Sequence, residues 1–190
     1  KSSIANIHTL SSVAAMLLLL PFNGLLVKIS CMTVRDSAEE AQELTMPVLD
    51  ERLYKSPAVA LQQAKSAVVK MSRRAARNVS LATPLLLKMD EEVVSAINVR
   101  EHLIDRMEVE ISNYLIKMTD QELGDDESHA VTELLNFVTE YERIGDYAVN
   151  IMEKAQELAD KEAAFTDHAK SELKILDAAL EKILQLTDDA

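Results

Sequence analysis

The chain has 190 residues, of which 48% are hydrophobic, a formal net charge of −12 and a single cysteine, Cys31. Its length allows one sizeable core, or a domain with an appendage. The negative charge disfavours binding of nucleic acid and free phosphate and favours cations or basic partners. One cysteine excludes an intramolecular disulfide and a thiolate metal cluster within the chain, and it fits a reducing compartment. Only three glycines and four prolines interrupt the chain, so the predicted fold class is all-α.

Residues 1–30 differ in composition from the rest of the chain. No charged residue lies between Lys1 and Lys28, and Leu10–Val27 is apolar except for two serines and one asparagine. About 20 such residues span a bilayer, so this segment predicts a transmembrane helix. No small-residue cleavage pattern supports a secretory signal, whereas a buried core helix interrupted by a proline and a glycine stays an alternative. Basic residues after the apolar stretch predict that the next segment is cytoplasmic.

The first long helix follows a connector. Residues 31–55 mix acids with a proline and show no sustained period, which predicts a connector with room for one short helix. Ser56 and Pro57 then mark a helix start, because serine can cap free N–H groups and proline suits the first helical position. This helix is predicted to run towards Leu87, with Pro84 ending or kinking it.

Further helices are predicted downstream. Asp90 and two glutamates supply the cap and first turn of helix two, which continues to about Met118. Gly124 and two aspartates form the next turn, and helix three is predicted over 127–159. A fourth helix starts at Thr166. Because short turns join the first three helices, their apolar stripes predict an antiparallel three-helix bundle.

A short repeat favours a second unit of the same kind. Residues 64–66 read Ala-Lys-Ser, and so do residues 169–171, each early in a helix and 105 residues apart. This offset equals about one three-helix unit, so we expect the fourth helix to open a second unit. The chain starts with Lys and ends within a helical pattern, as expected of a piece of a longer protein.

Two helices carry the same acidic spacing. Helix two contains EHLID, with Glu101 and Asp105, and helix three contains ERIGD, with Glu142 and Asp146. Residues four apart share a helix face, so each pair presents two carboxylates in one direction. Both pairs interrupt or border apolar rows. These rows are Val94, Ile97, Ile104, Ile111 and Leu115 on helix two, and Leu135, Val138 and Val149 on helix three.

Ionised acids beside a packing face need a compensating partner. Arg143 or another cation would give an ion-pair network, protonation would neutralise acids whose pKa is raised, and a shared divalent or trivalent metal would satisfy all four. Oxygen ligands suit Mg, Mn, Ca or oxidised Fe. Oxidase chemistry is disfavoured because the chain has no Glu-x-x-His. Gly145 fits the close approach of a neighbouring helix or a ligand.

The acidic motifs carry a family resemblance. ERIGDYAVNI, Glu142 to Ile151, resembles the signature of the PhoU family, and EHLID resembles that family's companion motif on the preceding helix. The resemblance covers about residues 56–159 as one three-helix repeat. It implies that Glu101, Asp105, Glu142 and Asp146 hold a metal ion (Fe, Mn, Mg or Zn), with Glu140 and Asn150 as neighbours.

The upstream sequence resembles a transporter junction. ANIHTL from Ala5, LLLLPF ending at Phe22 and LDERLYKSPAVALQQAK from Leu49 are similar to bacterial sodium/phosphate cotransporter family proteins, in which the last membrane helix leads into a cytoplasmic PhoU-like domain. Ser11 and Ser12 depart from that family's usual Phe-Asn. The resemblance implies a membrane helix at 1–30, a connector at 31–55 and a PhoU-like bundle at 56–190.

The function implied is regulatory. The resemblance implies a cytoplasmic, metal-binding domain of a sodium-dependent phosphate transporter in the bacterial inner membrane, without enzymatic activity. Its expected partners are the membrane and the remainder of the transporter chain, with homo-oligomerisation left open and no nucleic acid. The alternative is a helical interaction module that docks on a membrane partner and uses its acids only for ion pairs. A carboxylate-bridged metalloenzyme would need a water-activating base near the acids, and the absence of Glu-x-x-His disfavours it.

Overall fold

The computed structural model describes residues 45–188. Within this range the fold is all-α: four long helices and no strand, as predicted. The predicted membrane helix at 1–30 and most of the connector lie outside the described residues. Between residues 45 and 188, no helix is both long and apolar enough to cross a bilayer. The helices are α1 (Pro57–Leu85), α2 (Glu91–Met118), α3 (Asp125–Asp160) and α4 (Asp167–Asp188).

The predicted cap of α1 is wrong, although the predicted start is right. Ser56 precedes Pro57 at the helix start, but its side chain makes no capping hydrogen bond. Its backbone carbonyl instead accepts from the N–H groups of Val59 and Ala60. Pro84 lies one residue before the helix ends at Leu85, as expected of a residue without an N–H group.

The start of α3 differs from the prediction: the helix begins at Asp125 with Gly124 as its N-cap, so Asp125 and Asp126 lie in its first turn. The starts of α2 and α4 follow the predicted chemistry. The Asp90 carboxylate accepts from the N–H groups of Glu92 (3.0 Å) and Val93 (3.4 Å), which caps α2. At α4, the Thr166 hydroxyl oxygen accepts from the Ala169 N–H at 3.2 Å. Side-chain oxygens therefore set both boundaries.

Two apolar clusters hold the bundle together. The first packs the N-terminal half of α1 against the C-terminal half of α2 and the N-terminal half of α3, so α2 runs antiparallel to its two neighbours. Its α1 side is built from alanines, which allow close helix approach. Its fully buried members include Ala60, Ala64, Ala67, Met71, Ile104, Met107, Ile111, Leu115, Val131 and Val138.

The second cluster lies at the other end of the bundle. It joins the C-terminal half of α1 to the start of α2 and the later part of α3, and Leu180 and Leu184 of α4 pack against it. The Thr83 hydroxyl also donates to Asp177 of α4 at 2.5 Å. No described side chain of α4 is fully buried. That α4 opens a second unit stays a prediction.

The end of the connector is fixed to the bundle. A short 3-10 helix, Glu51–Lys55, provides the one short helix expected there. The Tyr54 hydroxyl donates to the Tyr114 carbonyl at 3.2 Å, and the Asp50 N–H donates to the Gln63 side-chain oxygen at 2.9 Å. These bonds join the connector to α2 and α1.

Candidate functional site

A polar layer separates the two apolar clusters. Asn78 of α1 is fully buried, and Glu101 of α2 is only 9% exposed. Each sits between residues of the first cluster and residues of the second along its helix. Gly145 of α3 is buried at the same level. The three helices thus meet around one carboxyl group, Glu101.

The row predicted on α2 is confirmed around Glu101. The five apolar members of that row are all buried, and Glu101 interrupts them as the spacing predicts. An apolar row with one acid at its centre places that acid in the core, because side chains three or four residues apart share a helix face.

Glu101 has few hydrogen-bonding partners. The Asn78 side-chain N–H donates to Glu101 Oε2 at 3.4 Å and to the Ile97 carbonyl at 3.2 Å. Glu101 Oε1 and Asn78 Oδ1 are both buried, and neither accepts a hydrogen bond within the described part of the chain. An acceptor removed from water without a donor costs about 1–3 kcal/mol, and more when it is charged. The polar layer therefore has two oxygens in need of a proton or a cation.

Gly145 explains how α3 approaches this carboxyl group. A Cβ atom at position 145 would lie 2.8 Å from Glu101 Oε2, 3.2 Å from Glu101 Oε1 and 3.3 Å from Ile104 Cδ1. No glycine in the described residues has a positive φ, so the requirement here is space and not backbone freedom. The predicted close approach of a neighbouring helix at Gly145 is confirmed.

The four predicted acids affect one another electrostatically. The pKa of Glu101 is raised to about 7, first by burial and then by the negative charges of Asp105, Asp146 and Glu142, against the opposing effect of the Asn78 hydrogen bond. The pKa of Glu142 is also raised, first by burial and then by Asp146, Glu108 and Asp105. The structure thus brings the two Glu-x-x-x-Asp pairs into one negative neighbourhood.

The four acids do not share one degree of burial. Glu101 is inside the bundle, Glu142 is half-buried, and Asp105 and Asp146 are exposed. Both pairs were predicted to lie on or beside the packing rows, so the exposure of Asp105 and Asp146 corrects that prediction. The packing row predicted on α3 is also shifted from the line of residues that is fully buried. Its members Leu135 and Val149 are only half-buried, whereas the fully buried line of α3 comprises Val131, Leu134, Val138, Gly145, Ala148, Met152 and Ala155.

The acids also differ in their ion pairs. Arg143 bonds to Glu140 at 3.3 Å between two largely exposed side chains, which is a weak surface pair. Glu140 and Asn150, the less certain neighbours, are both exposed. In residues 45–188, no group of three or more His, Cys, Asp or Glu side chains is arranged to hold a metal ion. The four-acid ligand set therefore stays a prediction.

Three buried polar residues were not predicted from the sequence. Asn78, Arg74 and Arg100 are each at most 6% exposed. Arg74 contacts Met107 through its guanidinium. A signal existed for Asn78, since the buried row of α1 at Met71, Ala75 and Ala82 passes through it as the α2 row passes through Glu101.

Comparison with known protein families finds a match that covers part of the chain. Residues 68–155 match the PhoU domain. No curated protein and no solved structure matches the chain. PhoU domains are helical bundles that occur in regulators of phosphate transport, and the match encloses Asn78, Glu101 and Gly145. The polar layer therefore lies within the segment that matches the PhoU domain.

Proposed function

We propose that this chain is the cytoplasmic, metal-binding regulatory part of a sodium-dependent phosphate transporter. The PhoU domain supports a regulatory role in phosphate homeostasis. The resemblance of the upstream segments to the cotransporter junction supports the transporter context. The observation that carries metal binding is the buried Glu101 Oε1, which has no hydrogen-bond donor among the described residues and lies in a field of three further carboxylates.

A cation would relieve two costs at this site. Burial and negative neighbours both disfavour the ionised form of Glu101, and the attraction of a nearby cation for the carboxylate would offset both costs. Glu142 gains in the same way, because its pKa is raised by burial and by the same group of acids. The ligands would be carboxylate oxygens, which suit Mg, Mn, oxidised Fe or, less selectively, Zn.

Metal binding would require side-chain rearrangement, because among the described residues no three acidic side chains are arranged to hold a metal ion together. Asp105 and Asp146 are exposed and Glu142 is half-buried, so these side chains can change rotamer without opening the core. Glu101 is held between Asn78 and Gly145 and would stay fixed. Cation binding would thereby join α2 to α3 and stiffen that side of the bundle.

Any response to phosphate would be indirect. The acids would repel a phosphate ion, so sensing would act through the bound metal or through a partner. The regulatory output would be the stability of the α2–α3 contact, read by the remainder of the transporter.

The test is metal content after mild purification together with melting temperature. Glu142→Ala combined with Asp146→Ala should remove bound metal and the rise in melting temperature on adding Mn or Mg after chelation. The matched control is Glu133→Ala with Glu153→Ala, two exposed acids of the same helix. If the first pair leaves both quantities unchanged, the metal site is refuted.

The alternative is a metal-free interaction module. It is favoured by the absence, among residues 45–188, of a ready group of three ligands. It predicts no cation-dependent change in melting temperature for any of these variants, and loss of partner binding when the acids are neutralised. The same series of variants therefore separates the two functions.

A further inference from the structure

Helix α1 has a charge pattern opposite to that of the whole chain. The chain has a net charge of −12, yet α1 contains no acidic residue from Pro57 to Leu85. It carries five basic residues, of which Arg74 is buried and contacts Met107. The other four are exposed: Lys65, Lys70, Arg73 and Arg77, the basic face.

The basic face occupies the solvent side of α1. At about 100° per residue its four members fall within an arc of about 140°, and Lys65 and Arg77 are about 18 Å apart along the axis. Val59 and Val69 lie on the same side, 49% and 38% exposed. Positive charge and exposed apolar groups therefore share one exposed side of α1.

Three of the four members of the basic face form no ion pair with a described residue. Among the described residues, no carboxylate lies within ion-pair distance of Lys65, Lys70 or Arg77. Some exposed lysines on other elements do form such pairs, as Lys154 and Lys161 do with Glu157 at 2.8 and 2.5 Å. The basic face thus differs from the rest of the described surface in composition: it is a helix face with four basic residues on a helix without acids.

We propose that the basic face docks on the phosphate headgroups of anionic phospholipids. Each Lys or Arg near an anionic leaflet adds to the attraction, which fades within a Debye length. Because the rest of the domain is negative, only the orientation with α1 against the bilayer is attractive. The exposed valines fit the boundary between headgroups and acyl chains.

The shape of the surface favours a membrane over a single small anion. A free phosphate needs convergent donors in a concave site, whereas Lys65 and Arg77 are separated by about 18 Å along the helix. An extended plane of negative charge matches this spread. Docking through α1 would also leave the exposed Asp105 of α2 and Asp146 of α3 outside the surface that contacts the lipid.

This inference rests on the proposed function only for the tether. A membrane helix at 1–30 would hold the domain at high effective concentration near the bilayer, so a weak attraction would suffice. The lipid contact itself depends on the described residues of α1 alone.

The test uses the full chain reconstituted in vesicles. A fluorophore is attached at Ser66→Cys, on the basic side of α1, or at Thr139→Cys, an exposed position of α3, each in a Cys31→Ser background. Quenching of the fluorophore by lipid with a spin-labelled headgroup is then measured. In vesicles containing phosphatidylglycerol, quenching at position 66 should exceed that at position 139 by about twofold or more. The difference should vanish in pure phosphatidylcholine and in about 1 M NaCl, where the Debye length is about 3 Å.

Charge variants identify the surface. Lys70→Gln with Arg77→Gln should reduce quenching at position 66 to its value in phosphatidylcholine. Lys174→Gln with Lys182→Gln, the same charge change on exposed positions of α4, should have no effect. Exchange of chloride for inorganic phosphate at equal ionic strength should also have no effect.

Several results would overturn the proposal. Equal quenching at the two positions, persistence in phosphatidylcholine, or insensitivity to the α1 pair refutes lipid docking and leaves the basic face to an acidic protein partner. Loss of quenching in phosphate alone indicates a small-anion site. Alkaline extraction tests the membrane helix at 1–30 separately from lipid docking. If alkali removes the chain from the vesicles and the chain still shows the lipid-dependent difference in quenching at neutral pH, the membrane helix is refuted and docking is upheld.

Discussion

Glu101 and Ile111 occupy the same buried row of α2, yet the surroundings of the two residues differ in kind. Ile111 is fully buried in the first apolar cluster. Glu101 lies between the clusters, where one oxygen has a distant amide donor and the other has no donor in the described part of the chain. The comparison shows that most of this helix face packs in the apolar core, whereas the single turn at Glu101 places a carboxyl group there.

The largest expected effect comes from the apolar side of this comparison. Ile111→Ala removes a fully buried side chain and should lower the free energy of unfolding by about 2–5 kcal/mol, because a cavity replaces its contacts. Urea unfolding followed by circular dichroism measures this loss. Val109→Ala, at a position 53% exposed on the same helix, is the control and should cost less than about 0.5 kcal/mol. Similar losses for the two variants would contradict the assignment of the core.

Glu101→Gln should act in the opposite direction. The pKa of Glu101 is raised from 4.5 to about 7 in the folded state, so between these values the folded state binds more protons than the unfolded state. The free energy of unfolding therefore falls as pH rises through this window, by up to about 3 kcal/mol. Without metal at about pH 8, the variant should be more stable than the wild type by roughly 1–3 kcal/mol, since no charge is then buried.

Stability against pH, measured in chelator, checks this expectation. The advantage of Glu101→Gln should shrink as pH falls towards about 5, where the wild-type carboxyl group is neutral in the folded state. Glu133→Gln, at an exposed position, should follow the wild-type curve. A wild-type curve that is flat across the window would show that Glu101 is ionised at no cost.

The smallest effect concerns the contact between α3 and Glu101. Gly145→Ala gains about 1 kcal/mol of helix propensity, but its Cβ would lie 2.8 Å from Glu101 Oε2. We expect a net loss of about 1 kcal/mol, because the displaced carboxyl group has little room in the polar layer.

A double-mutant cycle isolates this contact. In a Glu101→Ala background the obstructing carboxyl group is gone, so Gly145→Ala should become neutral or stabilising by up to about 1 kcal/mol. The coupling between the two positions should then be about 1–2 kcal/mol. An unchanged cost in both backgrounds would attribute the role of Gly145 to the backbone instead of to Glu101.

Much of the fold follows from local chemistry in the sequence. Asp90 and Thr166 mark helix starts because their side chains accept the N–H groups of the first turn, and Pro84 marks an end because it has no N–H group to donate. Every apolar residue predicted for the row of α2 is buried, since the period of that row depends only on helix geometry.

The sequence by itself determined the four helices, the acidic pair on each of two helices and the position of Glu101 on a packing face, because these depend on spacing within one helix. Only the tertiary structure decided that Asp105 and Asp146 are exposed, that Asn78 meets Glu101, and that Gly145 is small to make room for its carboxyl group. The reason is physical: burial and pairing depend on where neighbouring helices lie, and no periodicity within one helix specifies its distance from another.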